Sequence, residues 1–208
     1  MNGGELTARL TAVTTTLEDG AEEFRRLDAA VGDGDLGITV AAGAAAVRAA
    51  VAELSAEVTV ADVLRLAGRE IARANPSTMS ALLAGGLLKA AKEVGEDPID
   101  LAGAVRAGRA VFDSIATRGK SALGDKTILD AMGPSLDALE QAAAGSSSTL
   151  DALDAAIEAA TRGIEETTPL VSRKGRARWV GERSQGEPDP GAVLYLRFLE
   201  AWRDATTS

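Results

Sequence analysis

The chain has 208 residues, 46% apolar, 25% charged and 3% aromatic, and its 31 acidic against 22 basic residues give a formal charge of −9. This composition suits one globular domain with a core of Ala, Leu, Val and Ile, a mix that favours close-packed helices over a sandwich, and its acidity argues against nucleic-acid binding. With neither cysteine nor histidine, thiolate chemistry, disulfides and an imidazole base are excluded, and any metal must be a hard, oxygen-bound ion such as magnesium or calcium.

The N-terminus, MNGGELTARL, lacks the basic start and apolar stretch of a signal peptide, and no apolar run reaches a membrane span. A cytoplasmic protein with no membrane partner is expected. Leu6, Leu10, Val13 and Leu17 recur at three- and four-residue steps and predict a first helix over 5–19. A second helical segment precedes Asp28, and an Ala-rich helix spans 38–54. Thr59 and Asp62 resemble a capping box opening a helix through Ala74, and Ser77 or Thr78 caps the next, which runs to about Val94. Asp97-Pro98 reads as a cap followed by proline in the first turn of a helix ending near Gly119. Asp125 is read as the cap of a segment to Ala144, kinked or broken at Pro134. Ser148 and Asp151 open a helix ending before Pro169, and Asp189-Pro190 open a last one carrying Tyr195, Leu199 and Trp202 on one face. Two loops are long, 118–125 and 169–188. The expected fold is all-α, one domain over 1–208, with about eight antiparallel up-and-down helices, because short connections favour antiparallel neighbours.

The stretch VGDGDLGITV, residues 31–40, carries the chemistry. Gly32, Gly34 and Gly37 have the spacing of a dinucleotide loop, but the residues before them read as helix where that motif needs a strand. A bare pyrophosphate there would also face Asp33 and Asp35. An EF-hand fails as well: counting from Asp33, its obligatory glycine falls on Ile38 and its bidentate glutamate on Ala44. SIATRGKS at 114–121 ends like a phosphate-binding P-loop, but its first glycine position is Ser114 and a helix precedes it. Two readings remain on residue chemistry alone. The aspartates are turn and cap residues, with Asp35 capping the following helix. Alternatively Asp28, Asp33 and Asp35, crowded within eight positions, surround a cation such as Mg²⁺, which then bridges to phosphate.

LDAAVGDGDLG at 27–37, GDKTILDAM at 124–132 and RKGRARWVGERSQGEPDPGA at 173–192 together, in this order, resemble the nucleotide-binding L subunit of dihydroxyacetone kinases over nearly the whole chain. The resemblance implies a barrel of eight antiparallel helices with ADP or ATP held in loops at one end. Asp28, Asp33 and Asp35 would be ligands of two magnesium ions. Leu36, Gly37, Ile38 and Thr39 fall in the family's phosphate-contact segment, and Ser77 and Thr78 on its next phosphate-side loop. Gly119 and Ile128 match adenine-side positions, Arg176 the basic contact of the KGRA motif, and Asp189, Pro190 and Gly191 the DPG turn. Arg173, Lys174, Arg178 and Arg183 read as solvated or partner-facing, and Trp179 as either a lid residue or a packing anchor.

No residue is assigned to acid–base catalysis, which the family leaves to a separate ketose-binding K subunit. The phosphoryl donor is either ATP or a phosphotransferase-system subunit. The chain departs from the family pattern in two places. Leu36 replaces the histidine of GDGDHG, and ANPSTMS at 74–80 replaces a glycine-rich loop, with Pro76 removing a backbone N–H. These changes leave room for another short ketose, such as erythrulose. The alternative reading is a non-catalytic module of the same fold that senses nucleotide.

Overall fold

The computed structural model describes residues 1–55, 57–95, 98–145 and 147–207. Among them are nine α-helices and one 3₁₀ segment, with no strand: α1 (Gly3–Asp19), α2 (Ala21–Val31), α3 (Leu36–Val51), α4 (Val60–Ala74), α5 (Thr78–Val94), α6 (Leu101–Gly119), α7 (Ile128–Gly145), α8 (Thr149–Thr167), the 3₁₀ segment Arg176–Ser184, and α9 (Pro190–Thr207). Only Gly20 separates α1 from α2, and both pack along α3, so the two act as one bent column and the architecture has eight. Helices adjacent in sequence pack together, and α9 returns against α1 to close the ring. This is the up-and-down antiparallel barrel that the sequence predicts. No described helix is long and apolar enough to cross a membrane.

Capping chemistry sets most helix starts. Thr59 accepts from Asp62 N, Ser77 from Ser80 N and Ser148 from Asp151 N, each satisfying an amide that the helix itself leaves free. A cap of this kind is worth about 1 kcal/mol. The cap read at Asp97 lies outside the described residues; α6 begins at Leu101, with Asp100 accepting from Gly103 N at 2.7 Å.

Two expectations about α7 need correcting. Asp125 does not cap it; its carboxylate accepts from Ala122 N, and the helix starts three residues later at Ile128. Asp130, inside the first turn, takes the amides of Thr127 (2.7 Å) and Gly124 (2.5 Å) instead. Nor does Pro134 break the helix. It lacks the N–H that would bond Asp130 O, and that carbonyl abuts Gly163 of α8 so closely that a Cβ there would overlap it. The bare glycine lets α8 seal the gap.

The core is built from small residues. Ala61, Ala90, Ala91, Ala131, Ala152, Ala156, Ala160 and Ala192 are fully buried, and Phe24 is the largest fully buried side chain. Small side chains let the columns approach closely, as the low aromatic content implies. Because direction alternates around the ring, the connections 32–35, 75–77, 120–127 and 168–189 all gather at one end. Every residue singled out for binding belongs to these connections or to the helix ends beside them.

Candidate functional site

The glycine–aspartate turn joins the C-terminus of α2 to the N-terminus of α3, and its three glycines have separate structural reasons. Gly34 sits at φ 76°, which L side chains rarely adopt. At Gly37 a Cβ would strike Ala21 O and lie 2.9 Å from Arg25 Cβ, so glycine allows α3 to cross α2. At Gly32 a Cβ would lie 2.6 Å from Asp28 Oδ1. Gly32 therefore leaves open the side of the Asp28 carboxylate that faces the turn.

Asp28, Asp33 and Asp35 each offer one carboxylate oxygen, all within 4.8 Å of one another. Asp28 Oδ2 accepts from Leu36 N at 3.3 Å, which directs that carboxylate to the start of α3. Asp35 is the residue before α3 but makes no side-chain cap bond, so the capping reading of Asp35 does not hold. Arg176 Nη1 donates to Asp33 and to Asp35 Oδ2, the latter at 2.6 Å. A cation thus already bridges two of the three carboxylates. Three hard oxygen donors, kept close around an opening that glycine preserves, fit a divalent ion such as Mg²⁺. At Asp33 burial pushes the carboxyl pKa up, and the Arg176 hydrogen bond and charge outweigh it, leaving the group below its ordinary value. The same contacts, first with Asp35 and then with Asp33, raise the Arg176 guanidinium.

The other three connections lie at the same end of the barrel, and two of them touch this turn or the start of α3 directly. Thr39 Oγ1 accepts from Asn75 Nδ2 at 3.0 Å, tying the first turn of α3 to the loop before α5. There Ser77 caps α5, and Ser80 Oγ donates to Asn75 O at 2.9 Å. Thr78 is exposed. The N-termini of α3 and α5 thereby present first-turn amides at the same end, a favourable setting for anions. Gly119 closes α6 beside Leu82. Gly191, at the start of α9, lies against Ile128 and Met79, bringing the DPG turn to the start of α7. Asp189 caps α9 through Ala192 N at 2.8 Å, and burial pushes its carboxyl up to about 7, with the Asp130 charge adding to the rise. Pro190 and Gly191 are buried.

The loop 169–188 is not structureless. Residues 176–184 form a 3₁₀ segment with a break at Gly181, and this segment places Arg176 over the aspartates. Trp179, on the same segment, is 89% exposed, so it is not a packing anchor. Lys174 is not simply solvated; it donates to Lys120 O and lies 3.8 Å from Asp125. Leu36 is buried, consistent with a side chain that packs beneath the turn.

A model of the DAK2 domain matches residues 30–204. The chain belongs to the DAK2 domain family. Within it the chain is of the DhaL type: it is 35% identical over 176 residues to the ADP-binding subunit DhaL of a PEP-dependent dihydroxyacetone kinase from Listeria innocua, covering 84% of this chain and 82% of that subunit. It is 39% identical over 209 residues to a D-erythrulose kinase of Mycolicibacterium smegmatis, across 99% of this chain but only 36% of that protein. The solved dihydroxyacetone kinase of C. freundii superposes with a TM-score of 0.76 at 26% identity, over 98% of this chain and 34% of that one. The DhaL-type chain thus spans about a third of these two longer kinases.

Two contributors to the candidate site escape a reading of the sequence. Asn75, within a segment that departs from the family pattern, bonds Thr39. Lys126, the third residue of GDKTILDAM, is buried, with its ammonium against backbone carbonyls of the 168–184 segment. Only the burial of Lys126 reveals it; nothing in its sequence neighbourhood separates it from a surface lysine.

Proposed function

We propose that the chain, as a single nucleotide-binding domain over residues 1–208, is the nucleotide-holding subunit of a short-ketose kinase. The observation that carries this reading is the carboxylate triad Asp28, Asp33 and Asp35 under Arg176, at the end of a DhaL-type barrel where four connections meet. Asp28, Asp33 and Asp35 would hold Mg²⁺, two ions by family resemblance, and the metal would neutralise the phosphates of ADP or ATP when bound. Thr39, Ser77 and Thr78, with the first-turn amides around Gly37 and Ile38, face the phosphate side. Gly119, Ile128 and the Asp189–Gly191 turn form the adenine side. Arg176 leaves the aspartates to contact phosphate once metal takes its place. Phosphoryl transfer depends mostly on positioning and charge neutralisation, which these residues supply.

The ketose and the acid–base groups belong to a K-type partner subunit, and the domain is inactive without it. The name of the Listeria relative supports an ADP-binding role, and that of the M. smegmatis relative supports erythrulose beside dihydroxyacetone as substrate. The phosphoryl donor is ATP or a phosphotransferase-system subunit, and the site of action is the cytoplasm. The test is reconstitution. The chain alone should leave dihydroxyacetone and erythrulose untouched, and adding a ketose-binding K subunit with ATP, or with a phosphotransferase donor, should phosphorylate one of them. Intact Mg-ADP binding with no transfer in any reconstitution would favour the nucleotide-sensing module.

A further inference from the structure

Lys126 combines two features that lysine normally avoids. It is 1% exposed, and its backbone is left-handed at φ 63°. Such a residue persists only where its surroundings hold it. The surroundings here are three carbonyls: Lys126 Nζ donates to Thr168 O at 2.8 Å, Leu170 O at 2.7 Å and Ser184 O at 2.6 Å. An ammonium has three donors, so the cage uses all of them. Burial lowers the lysine pKa, and the charges of Asp189 and Glu187 oppose that shift.

The carbonyls come from the two ends of one excursion of the chain. Thr168 and Leu170 leave α8, and Ser184 ends the 3₁₀ segment. Between these ends the same crossing point carries further bonds. Gly186 N donates to Thr168 O at 2.9 Å, and Ser172 N to Ser184 Oγ at 2.9 Å. Ser172 and Ser184 are buried. Arg173 N donates to Asp125 O at 3.1 Å, next to Lys126 itself. The peg is rooted in turn at the start of α7, where Asp130 holds the amides of Gly124 and Thr127. Beyond the neck, Gly175 (φ 61°) and Gly181 (φ 56°) bracket the stretch that carries Arg176 and Trp179. The excursion is therefore a compact loop with a fixed neck and a tip set between two glycine pivots.

We propose that Lys126 is a positioning residue whose ammonium closes the neck of the 168–186 loop and so fixes where Arg176 stands over Asp33 and Asp35. Replacing the ammonium by an apolar side chain would take a donor from all three carbonyls, leaving Thr168 O with Gly186 N, Ser184 O with the longer bond from Glu187 N, and Leu170 O with neither. The neck would loosen, and Arg176 would lose its registration while the aspartates kept theirs. The consequence for nucleotide rests on the phosphate-contact role proposed for Arg176; neck closure itself does not.

Limited trypsin digestion reads neck closure directly, because the tip carries Arg173, Lys174, Arg176, Arg178 and Arg183 as cleavage sites. In folded Lys126→Met, cleavage within 173–183 should be about tenfold faster than in the unaltered chain, since local opening sets the rate. Mn²⁺ binding without nucleotide, followed by electron paramagnetic resonance, should be retained or tightened as Arg176 moves off the aspartates, while Mg-ADP binding weakens by about tenfold. Cleavage at the unaltered rate in a folded Lys126→Met would overturn the proposal; faster cleavage with unchanged Mg-ADP affinity would support neck closure and overturn the phosphate-contact role of Arg176. If the unaltered chain bound neither Mn²⁺ nor ADP, the functional reading would fall, and digestion would still decide neck closure. Hydrogen exchange on the unaltered chain decides it even if the variant does not fold. The amides of Ser172, Arg173 and Gly186 should be protected as one group while those of 176–180 exchange faster; neck amides exchanging as fast as the tip would overturn it.

Discussion

Replacing Asp189 by asparagine should stabilise the protein in a pH-dependent way. Asp189 caps α9 with one carboxylate oxygen, and an asparagine amide oxygen can take the same bond from Ala192 N. The difference is the charge. Burial pushes the Asp189 carboxyl from an ordinary value near 3.8 to about 7, so the folded protein keeps a proton that the unfolded chain has lost. Folding then becomes less favourable as pH rises from about 4, and the loss is complete above about 7. A shift of roughly three pKa units corresponds to a ceiling of about 4 kcal/mol. Urea unfolding of both proteins at pH 4, 6 and 8, read by helical circular dichroism, isolates this group because all others titrate in both. The stability difference should be near zero at pH 4 and grow to about 2–4 kcal/mol in favour of Asp189→Asn at pH 8. A difference independent of pH, or a variant less stable at pH 8, would refute the assignment of a desolvated carboxylate with a raised pKa at the DPG turn.

Three further changes probe the turn and the arginine above it. Gly37→Ala should cost about 1–3 kcal/mol in thermal or urea unfolding, because the added Cβ meets Ala21 O and Arg25 where α3 crosses α2; an unchanged midpoint would mean that the crossing is looser than described. Leu36→His should also destabilise, by about 1–3 kcal/mol, since it puts a polar ring where the leucine is buried. An unchanged midpoint would show that the ring swings out toward the site. Arg176→Gln removes a surface cation from Asp33 and Asp35, so Mn²⁺ binding without nucleotide should tighten by roughly fivefold, while ADP binding weakens. Mn²⁺ binding weakened by this change would contradict competition between the arginine and the metal.

The helices were legible because their signals are local. Thr59, Ser77, Ser148 and Asp189 announce starts by a side chain three residues from the amide that it satisfies, and apolar steps of three and four mark the buried faces. The errors fall where a local signal had a competitor. GDKTILD offers two aspartates, and the one inside the first turn, Asp130, won the amides that Asp125 was expected to hold. Pro134 reads as a break only when α8 is out of view, since Gly163 accommodates the carbonyl that the proline frees. Leu36, which stands where the family pattern has histidine, is buried. The 169–188 loop resisted prediction for a different reason. Its 3₁₀ segment has no apolar period to read, and its neck depends on a lysine some forty residues earlier in the chain. In the candidate site the aspartates stood out by crowding, whereas the Arg176 bridge, 141 and 143 residues away from them, needed the fold.

In the proposed function this chain holds a nucleotide through metal ions gathered by Asp28, Asp33 and Asp35. Isothermal calorimetry of ADP with and without Mg²⁺, on the unaltered chain and on Asp33→Ala, tests it most directly. Mg²⁺-dependent ADP binding that Asp33→Ala abolishes is the predicted result. ADP binding that is absent, independent of Mg²⁺, or indifferent to Asp33→Ala would contradict it.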